Sequence, residues 1–314
     1  MSRESYPHPI NQSLSLLIPV FNVQIQPLLA QVFRACEALA EWEVVVIDDA
    51  STILEIHLAN EAFCKESNRT KYHRVEKNIG RSAIRNLLAS KALYDLLLFL
   101  DCDSAIPTND FVVRYLNVAA ENPVMYGGTL YIPEMCKKSV RLHYHIGSMR
   151  EMIPASERNQ NPYKHFTWNN VCIYKSVMLA HPLEARLTTY GHEDTLFAQV
   201  LLENKIAIKH LDNPVIHLGL EADVVFLRKT QSAVENMYRL HCMGYPLTQS
   251  TLWRTWQKHQ LLLDKVPIFV LKMTVRLAIY WLCHIAPSGV VFDVFKLLQL
   301  CICFRRTGPI TIKN

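Results

Sequence analysis

The chain has 314 residues, half of them hydrophobic and 19% charged, with a formal charge of +5. That is enough length and apolar content for a large α/β domain with an appendage, and it excludes a disordered or fibrous chain. The mild basic bias suits phosphate-bearing substrates or an anionic membrane surface. Lys and Arg are scattered through the first two-thirds, so no nucleic-acid partner is expected.

In chain order, Leu14 to Val20 is a short apolar run that reads as a buried strand, ended by a loop at Phe21-Asn22. Helix spacing follows over about Gln26 to Ala40, with apolar Leu28, Leu29, Val32, Phe33 and Cys36. Glu43 to Asp49 is a strand whose β-branched residues run into two carboxylates. A helix near Thr52 to Cys64, a strand around Tyr72 to Glu76, a turn at Asn78 to Gly80 and a helix from Ser82 to Leu93 come next. Leu96 to Asp101 is another buried strand. Apolar strands alternating with amphipathic helices predict a mostly parallel sheet covered on both faces.

Beyond residue 104 the pattern loosens. A helix is expected from Asn109 to Glu121, a strand-like run with a Gly pair over Val124 to Ile132, and helical signals from Lys138 to Met152. Ser156 to Lys164 reads as an exposed polar loop, and His165 to Lys175 as an extended aromatic segment. Gly191 opens into a helix of about Glu193 to Glu203, and a strand runs through His217. From Glu221 the chain turns helical and increasingly apolar, which sets an expected boundary between residues 1–220 and 221–314.

Nine cysteines, an odd number without any Cys-x-x-Cys, argue against a disulfide framework or a zinc site and for a reducing compartment. Met1 to Gln12 is polar, with two prolines and no apolar core, so a secretory signal is not expected and a cytoplasmic location is.

Parallel sheets bind ligands at the carboxyl ends of their strands. Three strands end there in polar residues: Phe21-Asn22, Asp48-Asp49 and Asp101-Cys102-Asp103. There is no Gly-x-Gly-x-x-Gly after the first strand and no P-loop, so a bound phosphate needs something other than a glycine cradle. Asp101 and Asp103, one residue apart where the chain leaves extended geometry, can converge on a hard divalent cation. Each feature also has an ordinary explanation. Asp-x-Asp can be a solvated turn, Asp48-Asp49 and Glu193-Asp194 can be helix-start chemistry, and His217 and Trp168 can be structural.

Taken in order, these segments resemble the family 2 glycosyltransferases of GT-A fold. The resemblance covers Leu14 to Gly219 and rests on six matches. They are Ile18-Pro19-Val20-Phe21-Asn22, Val46-Ile47-Asp48-Asp49-Ala50-Ser51, Asn78-Ile79-Gly80 with Arg85-Asn86, Leu100-Asp101-Cys102-Asp103-Ser104, Gly191-His192-Glu193-Asp194, and Asn213-Pro214-Val215-Ile216-His217. The resemblance implies a GT-A sheet with a nucleotide-binding half at about 14–104 and an acceptor half at 105–220. It implies a nucleotide diphosphate-sugar donor, a UDP-sugar first, held by Pro19, Phe21, Asn22, Asp49, Asn78, Gly80, Arg85 and Asp101. A divalent metal, Mn2+ or Mg2+, would be held by Asp103 and His217 with Asp101 nearby. Asp194 would be the general base of an inverting transfer to a glycan or lipid-linked acceptor. Glu193, Trp168 and Asn169 would lie on the acceptor side, with Trp168 stacking on a sugar ring. The departure from the family pattern is Ala50, where Gly is commoner, and it is harmless if the turn needs no positive φ.

In the last third, Leu277 to Phe292 is 16 residues without Asp, Glu, Lys or Arg, interrupted by Pro287 and Gly289 and shorter than a spanning helix. With the apolar stretch from Val290 to Phe304, it fits amphipathic helices over 262–306 that either lie on a membrane, such as the inner face of the cell membrane, or pack on the catalytic domain. Two other functions share the fold. A sugar nucleotidyltransferase would carry a Gly- and Arg-rich loop after the first strand, which is absent, and a non-catalytic scaffold would have lost Asp103 or Glu193-Asp194, which are present.

Overall fold

The computed structural model describes residues 13–186, 191–248 and 250–306; the polar segment from Met1 to Gln12 lies outside them. Its centre is β1 (Leu14–Val20), β2 (Trp42–Asp48), β3 (Thr70–Arg74) and β4 (Leu96–Leu100). Every residue of β2 and β4 is buried, as expected of strands covered on both faces. β1 pairs parallel with β2 and with β4, and β2 pairs parallel with β3. Between them run α1 (Gln26–Cys36), α2 (Leu54–Lys65) and α3 (Arg81–Lys91). α1 buries Leu28, Leu29, Val32, Ala35 and Cys36, one helical stripe. The carboxylate at the start of β2, Glu43, is matched where the strands begin: Ser15 Oγ donates to it at 2.8 Å and Lys71 Nζ stands at 2.7 Å.

The remaining elements are β5 (Ser104–Ala105), α4 (Phe111–Ala119), β6 (Val124–Tyr126), β7 (Thr129–Leu130), α5 (Arg141–Glu151), α6 (Ala155–Arg158), β8 (Asn170–Tyr174), α7 (Lys175–Ala180), α8 (Glu193–Glu203), β9 (Ile208–His210) and β10 (Val215–His217). The large sheet has the order β3-β2-β1-β4-β8-β6-β9, with β8 antiparallel to both its neighbours. A small sheet, β5-β10-β7, stands apart from it. The chain therefore has the mostly parallel, helix-flanked sheet of the expected α/β class.

Two expectations for the middle of the chain change. The run from Val124 to Ile132 is not one strand: the Gly127-Gly128 pair carries it from the large sheet to the small one. A side chain at Gly127 would meet the Asn213 carbonyl oxygen at 2.2 Å, and Gly128 has φ +100°. The polar stretch from Ser156 to Lys164 is not simply an exposed loop either. It begins in α6, and Arg158 is buried, donating to the carbonyls of Ile153, Gly127 and Leu211 at 2.8, 3.1 and 2.7 Å. A guanidinium with this many fixed acceptors can be buried without an ion-pair partner of equal depth.

The chain continues as α9 (Asp223–Cys242), α10 (Thr251–Leu263), α11 (Ile268–Tyr280), a π-helical turn (Trp281–Ile285) and α12 (Gly289–Arg306). Their apolar faces form a second core that includes Leu142 and Ile146 of α5 and Leu196 of α8. The helices thus pack on the sheet domain through α5 and α8.

Candidate active site

The β1–β2 register sets Val20 against Asp48, and the Asp49 N–H donates to the Val20 carbonyl at 2.7 Å. This aligns the carboxyl ends of β1, β2 and β4 along one edge, where they open into a cleft of about 510 Å³ lined by Pro19, Phe21, Asp49, Asn78, Gly80, Arg85, Asp101 and Asp103. The two neighbouring aspartates part company here. Asp48 is spent on the turn, accepting from the Ser51 N–H at 2.6 Å and the Tyr72 hydroxyl at 2.8 Å. Asp49 faces the cleft and accepts from the N–H groups of Ile79 and Gly80 at 2.7 and 3.1 Å, while the Asn78 amide donates to its carbonyl at 3.1 Å. Burial nevertheless pushes the Asp49 carboxyl above its ordinary range.

Two sequence assignments are corrected at this edge. Asn22 does not line the cleft. At φ +55° it turns its amide oxygen onto the N–H groups of Thr52 and Ile53, at 2.8 and 3.1 Å, and clamps the loop entering α2. Ala50 adopts φ +60°, so the turn does need the left-handed region where the family's usual Gly is strain-free.

Asp101 lies against Arg85, whose Nη2 donates to its Oδ1 at 2.6 Å. Burial opposes the Asp101 charge, but Arg85 and then Arg81 outweigh it and hold the carboxyl below the usual range. Asp103 behaves oppositely: burial pushes it up, against the pull of His217. The pairing of β10 with β5 sets His217 opposite Ser104 and leaves His217 Nδ1 3.9 Å from Asp103 Oδ1. Gly219 adds room, since a side chain there would stand 2.0 Å from Asp103 Oδ2.

No three His, Cys, Asp or Glu side chains are gathered as a metal site among the described residues. Asp103 and His217 offer one carboxylate and one imidazole with open space beside them. That donor set fits a divalent cation that completes its shell with phosphate oxygens and water.

A second cavity, of about 160 Å³, adjoins the cleft across Arg81, Arg85, Asp101 and Asp103. Its floor is the start of α8, where unsatisfied backbone N–H groups favour negative charge. Glu193 accepts from the Gly191 N–H at 3.0 Å and stands 3.7 Å from Arg81 Nη1. Asp194 accepts from the Trp168 N–H at 3.1 Å. Burial first, then Glu193, push the Asp194 carboxyl up to about 7, with Arg85 pulling the other way. A carboxylate tuned close to neutrality in such a cavity can accept a proton at working pH.

Trp168 borders this cavity but is not open to stack on a sugar, which corrects that expectation. It is 1% exposed, with Phe99, Phe166 and Phe197 around it at centroid distances of 5.1, 5.4 and 4.8 Å. Its contribution is the backbone N–H that orients Asp194. Asn169 lines the same cavity while donating to Thr129 Oγ1 at 2.7 Å and accepting from Thr167 Oγ1 at 2.8 Å.

The profile of the family described as "Glycosyl transferase family 2" matches residues 15–179, more than half of the chain. The chain belongs to that family. A Haemophilus influenzae protein described as an uncharacterized glycosyltransferase is 32% identical over 111 residues. That stretch is 35% of this chain and 43% of the relative, so less than half of the relative's length is matched. Among solved structures, the mannosyltransferase PcManGT from Pyrobaculum calidifontis, in complex with GDP-Man and Mn2+, superposes with a TM-score of 0.59 at 12% identity, covering 96% of this chain and 88% of that one. S. aureus TarS 1–349 superposes at 0.50 with 16% identity, covering 94% and 91%. The glucosyl-3-phosphoglycerate synthase of Mycobacterium tuberculosis, in complex with Mn2+, UDP and phosphoglyceric acid, does so at 0.50 with 13% identity, covering 75% and 80%. At these identities the likenesses establish the GT-A fold.

The family match stops before Glu193, Asp194 and His217, so it is the folded chain that brings these residues into the cavity beside the cleft. It also brings residues that sequence reasoning passed over. Arg81 borders both cavities, and its place directly after Asn78-Ile79-Gly80 was a usable signal. Lys229 of α9, ion-paired to Glu221, borders both as well. Tyr131, His143 and Glu151 complete the second cavity, with the Tyr131 hydroxyl donating to Glu151 at 2.7 Å. Burial, then His217 and Lys229, drive His143 down to about 3, so it is a neutral ring. Nothing in the local sequence marked these four, because separate elements bring them in.

Proposed function

We propose that the protein is an inverting glycosyltransferase that moves a sugar from a nucleotide diphosphate-sugar, a UDP-sugar first, to a hydroxyl of a glycan or lipid-linked acceptor. The observation that carries the reading is Asp194, a carboxylate raised to about 7 in the second cavity, which shares Arg81, Arg85, Asp101 and Asp103 with the donor cleft. The nucleotide lies along the edge formed by Pro19, Phe21, Asp49 and Asn78, where Asp49 receives base N–H groups. Arg81, Arg85 and Lys229 border the place of the diphosphate and stabilise its charge. The acceptor occupies the second cavity. Asp194 takes its hydroxyl proton as the oxygen attacks the anomeric carbon, and the bond to the diphosphate breaks on the opposite face. One displacement inverts the centre and needs no covalent intermediate. Glu193, held by Gly191 and Arg81, orients the acceptor and keeps Asp194 raised.

A divalent cation at Asp103 and His217, with Asp101 behind them, would neutralise charge on the leaving diphosphate. The presence of Mn2+ in the PcManGT and synthase complexes supports that part of the reading; GDP-Man in one and UDP in the other leave the base to experiment. In this reading residues 1–220 are the catalytic unit and 221–314 a helical unit with a membrane-facing role, on the cytoplasmic side.

The test is a donor screen: UDP- and GDP-sugars with Mn2+ or Mg2+, read by nucleotide diphosphate release with glycan and lipid-linked acceptors. Metal-dependent release with one donor is expected. If no nucleotide sugar binds or turns over, the enzyme reading fails.

A further inference from the structure

The last helices carry two features that the catalytic site does not use. The first is the outer face of α11. Leu271, Val275 and Ala278 point inward and are buried, with α11 packed on α12. The opposite face is apolar as well: Phe269, Met273, Leu277, Tyr280, Trp281 and Ile285 are all exposed, Phe269 at 68% and Leu277 at 60%. At 100° per residue, Phe269, Met273, Leu277 and Tyr280 fall in one stripe, with Lys272 and Arg276 along its flank. Large exposed apolar side chains in a contiguous strip mark a contact surface.

The second feature is a groove at the end of that stripe. Lys137, Lys138, Ser139, Arg141, Cys283 and His284 line a cavity of about 650 Å³ that contains no acidic side chain. The Tyr280 and His284 rings are 5.0 Å apart, so stripe and groove are continuous. Arg141 ties the groove to the π-helical turn, its Nη2 donating to the Cys283 carbonyl at 3.5 Å, while its buried Nε has no hydrogen-bond partner. Between Arg254 and Val290 the sequence holds five Lys or Arg and one acid, Asp264.

Resting on the membrane-facing role read for residues 221–314, we propose that this surface docks the protein on an anionic phospholipid bilayer, with α11 lying in the interface and the 137–141/283–284 groove receiving lipid phosphates. Charge complementarity selects this partner: an apolar strip flanked by cations and ending in a basic groove matches acyl chains beneath anionic headgroups. Residues 268–285 are also long and apolar enough, by length and composition, to cross a membrane. This stretch begins nine residues before the charge-free run at Leu277 and takes in Lys272 and Arg276. α11 lies rather than spans because its inner face is committed to α12, and Lys272 and Arg276 interrupt its middle. The docked edge adjoins the site: α5 carries Arg141 at one end and the cavity-lining Glu151 at the other.

The test is co-sedimentation of the full-length protein with vesicles of phosphatidylcholine alone and of phosphatidylcholine with phosphatidylglycerol, independent of any transfer assay. Binding to the anionic vesicles about tenfold or more above the neutral ones, weakened by salt, is expected. Lys137→Glu with Lys138→Glu, and separately Phe269→Ser with Leu277→Ser, should each lower binding about tenfold while circular dichroism and melting stay unchanged. These side chains are exposed, so the fold should tolerate the changes. Equal binding to both vesicle types overturns the proposal, as does full binding by both variants. Self-association that the Phe269→Ser/Leu277→Ser pair abolishes, without vesicle binding, assigns the face to a second copy and overturns it too. Resistance to alkaline extraction from native membranes would show a span and overturn it equally.

Discussion

Residues 14–104 and 105–217 build the two sides of one site, a cleft and the cavity beside it, by different means. On the first side, strands of five to seven residues pair in parallel, and the site residues stand at strand ends, in the loops after them or, for Arg81 and Arg85, in α3. Asp49, Asn78 and Gly80 meet because a carboxylate accepts two backbone N–H groups from a segment thirty residues on. On the second side, strands of two to five residues are divided between two sheets. Asp194 is aimed by a backbone N–H from Trp168 and tuned by burial. The first side is a binding edge written into local pattern; the second is a chemical site that exists only once distant segments have met. Lesions on the first should act on donor binding and stability, and lesions on the second on turnover.

The largest effect, and the sharpest exception, should come from Asp103, which joins the two sides. Asp103→Ala removes the carboxylate that faces His217 Nδ1 at 3.9 Å, and we expect metal-dependent donor binding and transfer both to fall about a thousandfold or more. Calorimetric titration of the nucleotide with and without Mn2+ checks this; metal-dependent binding that survives would remove Asp103 from the metal site. Asp194→Asn should lower kcat by about 10²–10⁴ while donor affinity stays near wild type. A variant whose donor affinity collapses along with kcat would dissolve the division between the two sides.

The pH profile sharpens the same division. Asp194 acts as a base only when ionised, so kcat should rise with pH and level off above about 7. Its folded pKa lies above its unfolded value. Its contribution to stability is therefore present at low pH and lost as pH rises through about 7. Asp194→Asn should consequently melt higher than wild type at pH 8 while being nearly inactive. A kcat that is flat between pH 5.5 and 8, or an Asn variant that melts lower at pH 8, would show that the carboxyl is not raised.

The same contrast explains how much was legible in the sequence. β1, β2 and β4 announce themselves as apolar runs ending in polar residues, and they fall within about one residue of where they were expected. The middle of the chain is harder because a two- or three-residue strand has no periodicity to read. The split at Gly127-Gly128 and the burial of Arg158 depend on partners some thirty to fifty residues away or more, among them Asn213 and Leu211. Residue type could place Asn22 and Trp168 near the site but could not say which way they point. Both proved to support their neighbours rather than face a ligand. Arg81 was within reach, adjacent to a motif already found, whereas Lys229 enters from α9 and left no local trace.

If Asn22 is a clamp, Asn22→Ala should cost stability of about 1–2 kcal/mol, as for other lost caps, and change donor KM little. Chemical denaturation and donor kinetics separate the two; a tenfold rise in KM with unchanged stability would return Asn22 to the binding edge. The smallest effect should be at Ala50. Its left-handed backbone carries strain of about 1–2 kcal/mol relative to glycine, while glycine adds about 0.5–1 kcal/mol of unfolded-state freedom. Ala50→Gly should therefore stabilise by a net of about 0.5–1 kcal/mol, a rise in Tm of about 1–3 °C. Because the Asp49 carboxylate that precedes Ala50 is fixed from the other side by the Ile79 and Gly80 N–H groups, donor KM should move in neither direction. A Tm that stays level or falls would mean that the surrounding hydrogen bonds, Ser51 N–H to Asp48 above all, already absorb the strain, and that the donor edge is less locally determined than its sequence suggests.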